Sequence, residues 1–337
     1  MKKFGFFLLG AALFAAALSG CKNSTGKNFM ETSAAGSTKA VDETGKELKI
    51  VATIFPEYDW VREILGNRME NVSLTMLLDS GVDLHSYQPT AADMLTIGEC
   101  DLFLYNGGES DAWVERVLAT AANPDRRTLS VMEVLGDSVL EEEVVEGMQE
   151  AEDHDHAEGE AHGEEADEHV WLSLRNARTA CAEIARVLGE LDPDHAAEYQ
   201  TNAENYMAQL EALDGEYAAL AENAARRTVL VGDRFPFRYL MDDYGLEYYA
   251  AFSGCSAETE ASFETIAFLS GKTEELALPC ILTTESPQPG VAETIRSNTA
   301  SGDQTILQLD SMQSAGTGDN YLDIMKENLE VLRQALA

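Results

Sequence analysis

Apolar and polar positions along most of this chain follow two rhythms: short apolar runs of strand type, and longer stretches with a helical period. Residues 48–54 (LKIVATI) read as a buried strand and 58–65 as a helix. Residues 72–78 form a second strand. In 89–97 a proline comes early and the apolar residues fall at helical spacing, as at a helix start. A third strand, 102–105, ends in Asn106-Gly107-Gly108, and a helix over 111–121 and a fourth strand over 128–132 follow. Strands that alternate with helices imply a mostly parallel sheet.

From 174 to about 224 the period is helical throughout. Asn176, Ala177, Ala180, Ile184, Val187 and Leu188 make one stripe, Asp192-Pro193-Asp194 marks a break, and a long helix follows with Tyr199, Tyr206, Leu210, Leu213 and Leu220 inward. The alternation then resumes: strands at 228–231, 247–252, 281–284 and 305–309, and helices at 237–244, 263–276, 291–298 and 320–336. The pattern predicts two similar α/β lobes with a cleft between them and a helical bridge.

One stretch breaks the rhythm. Residues 133–168 carry sixteen carboxylates, no Lys or Arg, and His154, His156 and His162. Their apolar content is too low to bury, so most of the stretch reads as a mobile loop. The acidity is general: 23 Lys+Arg against 60 Asp+Glu give a formal charge of −37 across 337 residues. Phosphate would be repelled everywhere, which excludes sequence-independent nucleic-acid binding and suits a cationic ligand. Hydrophobic residues at 45% and charged residues at 25% are globular proportions.

The first twenty residues read as an export signal. Lys2 and Lys3 precede an apolar run over 4–17, too short for a mature transmembrane helix, which ends in Leu18-Ser19-Gly20-Cys21. That ending resembles a bacterial lipobox, in which the Cys is lipidated and becomes the mature N-terminus. A lipidated Cys21 would hold the protein at a membrane without spanning it. Residues 21–47 read as a flexible tether of small and polar residues. The expected site of action is extracytoplasmic. Among the other cysteines, Cys181 falls in an apolar helical stripe and reads as core, and spacing alone leaves a Cys255–Cys280 bridge open.

Six histidines are present: His85, His154, His156, His162, His169 and His195. Neutral imidazole is a favoured ligand for zinc and its neighbours, and carboxylates neutralise the ion's charge. His85 lies between a strand and a helix, where parallel α/β sheets bind ligands. His169 lies where the acidic stretch gives way to apolar chain, and His195, at a helix start after Asp194, reads as a surface residue. Taken one at a time, His85 and His169 fit a structural hydrogen-bonding role as well as a ligand role.

Two motifs go further. Gly81-Val82-Asp83-Leu84-His85-Ser86-Tyr87-Gln88-Pro89-Thr90-Ala91-Ala92-Asp93 resembles the G-x-D-P-H-x-Y-x-P-T-x-x-D motif of the zinc/manganese solute-binding lipoproteins of ABC transporters (cluster A-I). Asp167-Glu168-His169-Val170-Trp171-Leu172-Ser173 resembles that family's D-P-H-x-W-L-S/D motif. Ile54-Phe55-Pro56, Tyr244-Gly245-Leu246, Leu309-Asp310 and the lipobox add to the likeness, which covers roughly 48–337. The resemblance implies two Rossmann-like lobes with parallel sheets, a long backbone helix between them and a metal cleft. The divisions would be a signal peptide over 1–20, the tether, an N-terminal lobe over 48–193 including the acidic His-containing loop, a bridging helix over 194–225 and a C-terminal lobe over 226–337. It implies a monomeric receptor that captures Zn2+, with Mn2+ or Fe2+ as alternatives, and delivers it to an ABC transporter permease.

Carried over residue by residue, the likeness gives His85 and His169 as the first two ligands and Asp310 as the fourth. The third position departs from pattern. A gapless match anchored on Tyr244-Gly245-Leu246 puts Arg234 there, which cannot ligate a cation. A one-residue shift puts Asp233 there, with an insertion near Pro236 restoring the register; Asp233 is the preferred third ligand, and a helix cap or a pair with Arg234 is its alternative. His154, His156 and His162 would offer weak, exchanging sites that concentrate zinc near the cleft. Glu258 or Glu260, in the loop after the 247–252 strand, could support the metal from outside its ligand shell. An exported zinc hydrolase or an adhesin with a structural metal are the competing readings. The sequence holds no H-E-x-x-H, G-x-S-x-G or P-loop motif, and a closed four-ligand site argues against turnover.

Overall fold

The computed structural model describes residues 47–337 apart from 80, 81, 83, 120, 121, 150–164, 255, 257–259 and 286–289. The signal sequence, Cys21, the tether, His154, His156, His162 and Glu258 therefore lie outside the described residues. Among those described, no helix is long and apolar enough to cross a membrane.

Strands β1 (Leu48–Ala52), β2 (Val72–Met76), β3 (Leu102–Tyr105) and β4 (Arg127–Ser130) form a parallel sheet in the order β2-β1-β3-β4. Helices α1 (Phe55–Leu65), α2 (Ala91–Glu99), α3 (Val114–Leu118) and α4 (Val131–Leu135) accompany it. A second parallel sheet has the order β6-β5-β7-β8, from β5 (Thr228–Phe235), β6 (Glu247–Ser253), β7 (Cys280–Thr283) and β8 (Thr305–Gln308). Helices α7 (Arg238–Tyr244), α8 (Phe263–Glu275), α9 (Gly290–Ser297) and α10 (Tyr321–Ala335) belong to this half. Between the sheets run α5 (Leu174–Leu191) and α6 (Ala196–Asn223), whose 28 residues span about 42 Å at about 1.5 Å per residue. The fold is the expected two-lobed α/β architecture.

Local chemistry accounts for the boundaries. Strands buried on both faces need continuous apolar runs, and Leu102, Phe103 and Leu104 are fully buried. Thr90 caps α2: its side chain accepts from Asp93 N at 3.2 Å, and the Asp93 carboxylate accepts from Thr90 N at 2.7 Å. Ser173 caps α5 through Asn176 N at 3.1 Å. Gly245 closes α7 at φ 60°, a conformation that costs glycine nothing. The predicted stripe of α5 is buried, as are Tyr199, Tyr206, Leu210 and Leu213 of α6. These two helices and α10 join the first lobe and part of the second in one apolar core, while Leu230, Phe252, Leu269, Ile281 and Ile295 belong to a separate cluster of the second lobe. Tyr217 Oη donates to Met325 O at 2.6 Å, and Tyr321 Oη donates to Trp171 O at 2.7 Å.

Three expectations change. The strand expected over 128–132 ends at Ser130, whose side chain accepts from Glu133 N at 3.3 Å and starts α4. The helix expected over 111–121 is a turn at Glu109–Asp111 followed by α3. The described part of the acidic stretch is anchored: besides α4, residues 139–149 form a strap laid on the second lobe. Leu140 N donates to Tyr239 Oη at 2.9 Å, Tyr248 Oη donates to Glu143 at 3.0 Å, and Arg238 pairs with Glu143. Gln149 N donates to Ala251 O at 2.9 Å, and Gln149 Oε1 accepts from Ser262 N at 2.6 Å. The returning chain is fixed where Glu142 N donates to Glu165 O at 2.7 Å and Asp167 N to Leu140 O at 2.9 Å. Cys280, whose pairing the spacing left open, is a free, buried thiol; burial pushes its pKa up to about 11.

Candidate metal centre

His85 sits in a one-turn helix, Leu84–Ser86, between β2 and α2. His169 immediately precedes another such turn, Val170–Leu172, ahead of α5. The fold brings the two imidazoles together: their ring centroids are 5.3 Å apart and their planes are inclined at 61°. His169 is fully buried. Its Nδ1 lies 2.9 Å from Asp167 Oδ1, which also accepts from His169 N at 2.8 Å, so ring and backbone are fixed by one carboxylate. Its Nε2 is buried with no hydrogen-bond partner. A buried ring nitrogen left without a partner is a costly arrangement for a purely structural histidine, and it suits a ligand that awaits an ion. His85 Nδ1 lies 2.9 Å from Ser110 Oγ and 3.5 Å from Glu168 Oε2.

The backbone around these rings is shaped for close approach. A Cβ on Gly254, in the second lobe, would come within 2.8 Å of His169 Cε1 and 3.0 Å of Phe235 O. Glycine there lets the strand end lie against the ring. Trp171 Nε1 donates to Ser311 O at 2.9 Å and Tyr239 Oη donates to Asp167 O at 2.8 Å. The segment that bears His169 is thus held by second-lobe groups. An apolar crevice beside it is lined by Ile54, Leu78 and Leu84 from the first lobe, Met312 and Ala315 from the second, and Trp171.

The carboxylates behind the histidines are unusual. Burial pushes the Glu168 carboxyl up, but the neighbouring His85, 3.5 Å away, and the hydrogen bond from Ser110 prevail and hold it below the ordinary value. Burial raises Asp111 to about 7, with the Glu168 charge adding to the effect. Glu57 is raised to about 8, by burial first and then by Asp111. Charge concentrated in a low-dielectric pocket disfavours further ionisation.

The second-lobe residues expected to complete the site have other partners in this structure. Asp233 sits in a bulge of β5: Val231 pairs with Ala250 and Arg234 with Phe252, which leaves Gly232 and Asp233 opposite Ala251 alone. The bulge places one extra residue inside the strand, at the position expected for the third ligand. The Asp233 carboxylate accepts from Arg234 N at 2.8 Å, Thr283 Oγ1 at 2.8 Å, Thr284 Oγ1 at 2.9 Å and Thr284 N at 3.3 Å. Asp310 Oδ1 accepts from Met312 N at 2.7 Å, and burial with the nearby Glu285 charge raises this group to about 6. Glu285 in turn takes Ser311 N, Ser311 Oγ and Gln313 N, which fixes the loop carrying Asp310. Glu260 is exposed. His195 is bound to Asp192 at 2.9 Å. Among the described residues no three His, Cys, Asp or Glu side chains stand close enough to hold one ion.

Ser110, Asp167, Glu168 and Gly254 were not singled out from the sequence. Asp-x-His and Glu-His adjacency in the second motif offered a signal for two of them, and the likeness of the loop after the 247–252 strand to the family's glycine-containing loop offered one for Gly254; nothing near Ser110 did.

A family model described as zinc-uptake complex component A, periplasmic (ZnuA), matches residues 50–335. The chain belongs to this family. Among its relatives, the zinc-binding lipoprotein AdcA of Streptococcus pneumoniae is 30% identical over 290 residues, which are 86% of this chain and 56% of AdcA. This ZnuA-family chain thus spans little more than half the length of that relative. The high-affinity zinc uptake system protein ZnuA of Bacillus subtilis is 28% identical over 334 residues, covering 98% of this chain and 97% of the relative. A Zn(II)-bound AdcAII variant from S. pneumoniae superposes with a TM-score of 0.68 at 26% identity, over 87% of this chain and all of that one.

Proposed function

We propose that this protein is an extracytoplasmic receptor, not an enzyme, that takes Zn2+ into the cleft between its lobes and passes it to the permease of an ABC transporter. The observation that carries the reading is the pair of imidazoles, distant in sequence and 5.3 Å apart, of which His169 is fully buried with its Nε2 unpartnered and His85 is half-buried. The family match, the names of the zinc-binding relatives and the −37 charge support it. The ligand set is His85 and His169 with carboxylate help from Asp310 and Asp233 of the second lobe. Two carboxylates balance a dication, and the same donors admit Mn2+ or Fe2+. The ion favours the arrangement in which both lobes reach it, by the difference in its affinity for the two states.

Lipidation at Cys21 would keep the receptor beside its permease. The acidic stretch with His154, His156 and His162 raises local zinc near the cleft. Deleting 150–164 tests that role without removing the strap, and unchanged uptake at limiting zinc would count against it. For the site, equilibrium competition among zinc, manganese and iron on tag-free protein is the decisive measurement. Zinc should win; His85→Ala and His169→Ala should each weaken it about 100-fold or more, and Asp310→Ala about tenfold. Asp233→Ala will also lower apo stability, because it removes the carboxylate that accepts from Thr283 and Thr284, so a ligand role requires an affinity loss beyond that. Zinc binding unchanged in both histidine variants would sink the reading.

A further inference from the structure

Glu168 stands where the resembling motif has proline, and it occupies a built position. It is 3% exposed. Its backbone carbonyl accepts from Asn106 Nδ2 at 2.8 Å, and its Oε1 accepts from Ser110 N at 2.8 Å. Gly108, at φ 83°, makes the room: a Cβ there would stand 2.3 Å from Glu168 Oε1, and the conformation itself excludes most side chains. Glu168 Oε2 lies 3.5 Å from His85 Nδ1, beside Ser110 Oγ at 2.9 Å from the same nitrogen. One residue therefore touches both imidazoles, His169 through the peptide bond and His85 through the side chain.

We infer that Glu168 is a positioning residue for the metal: its Oε1 holds Ser110 N, Ser110 Oγ meets His85 Nδ1 and fixes the tautomer that offers Nε2 to the ion, and its Oε2, 3.5 Å from the same nitrogen, adds a negative charge just behind that ligand. This rests on the zinc-site reading above. A histidine ligand whose other nitrogen is tied to a carboxylate is both oriented and more basic, and loss of such a partner weakens metal binding by about 10–100-fold. The same carboxylate compensates for a second lobe that offers Asp233 or Arg234 where the resemblance calls for histidine or glutamate. Asp167 plays the matching part for His169, 2.9 Å from its Nδ1.

The test compares wild type, Glu168→Gln, Glu168→Asp and His85→Ala as full chains in detergent. Zinc affinity is read by chelator competition, the His85 tautomer by long-range 15N–1H correlation, and apo stability by melting. The expected result is a 10–100-fold affinity loss in Glu168→Gln with a mixed His85 tautomer and an unchanged apo melt, and partial recovery in Glu168→Asp. Full affinity in Glu168→Gln overturns the inference, as does an affinity loss accompanied by an unchanged tautomer and a matching fall in apo melting. If His85→Ala keeps wild-type affinity, it is the zinc-site reading that fails.

Discussion

Glu57 makes the structure's electrostatics measurable. Its carboxyl is 1% exposed at the start of α1, where Oε2 accepts from Thr53 N at 3.0 Å, Thr53 Oγ1 at 2.8 Å and Ile54 N at 3.3 Å. The other oxygen is buried without a partner. Burial, with Asp111 adding, raises the group from 4.5 to about 8. A carboxyl whose folded value exceeds its unfolded value stabilises fully below the unfolded value and loses that contribution as pH rises through the folded one. At about 1.4 kcal/mol per pH unit, the gap between 4.5 and about 8 is worth roughly 5 kcal/mol across that window. Glu57→Gln keeps the shape and the acceptor and removes the titration. Metal-free wild type and variant should therefore be similarly stable to urea at pH 5, and the variant should lead by several kcal/mol at pH 9. Parallel stability profiles for the two proteins from pH 5 to 9 would refute the assignment of a neutral, buried acid.

Other consequences are as direct. Gly254→Ala presses a methyl against His169 and Phe235 O, and should weaken zinc binding about tenfold by chelator competition with little change in secondary structure by circular dichroism. Glu143→Ala removes the acceptor shared by Arg238 and Tyr248; amide exchange over 141–149 should accelerate at least tenfold while zinc affinity holds. Tyr321→Phe deletes the buried donor to Trp171 O, and should cost about 1–2 kcal/mol in denaturant unfolding.

Much of this molecule could be read from its residues, and the parts that could not have physical causes. Each of the eight strands among the described residues overlaps a predicted run, because a sheet covered on both faces demands unbroken apolar residues such as Leu102-Phe103-Leu104. The extension of β5 past Val231 was hidden, since a bulge at Gly232-Asp233 puts polar residues into a strand. The early stop of β4 was hidden too: Val131 and Met132 look like strand until Ser130 is seen to cap a helix. His85 and His169 were legible through their motifs. Their supports were not, because Ser110, Gly108 and Gly254 matter only by where the fold carries them. The strap was illegible because its anchors are polar contacts with Tyr239, Arg238, Tyr248 and Ser262, which leave no periodicity behind.

The clamping of 141–149 at one end and Glu165 to Asp167 at the other sets what the chain between them is free to become. Where both exits are fixed by the fold, closing a longer connection costs only about 0.6 kcal/mol for each doubling of its length. With Gln149 paired to Phe252 and the 170–172 turn fixed on the other side, additions or losses between 149 and 165 are expected to leave both in place. The sheet edge and the His169 turn are thereby insulated from a change of length between residues 149 and 165.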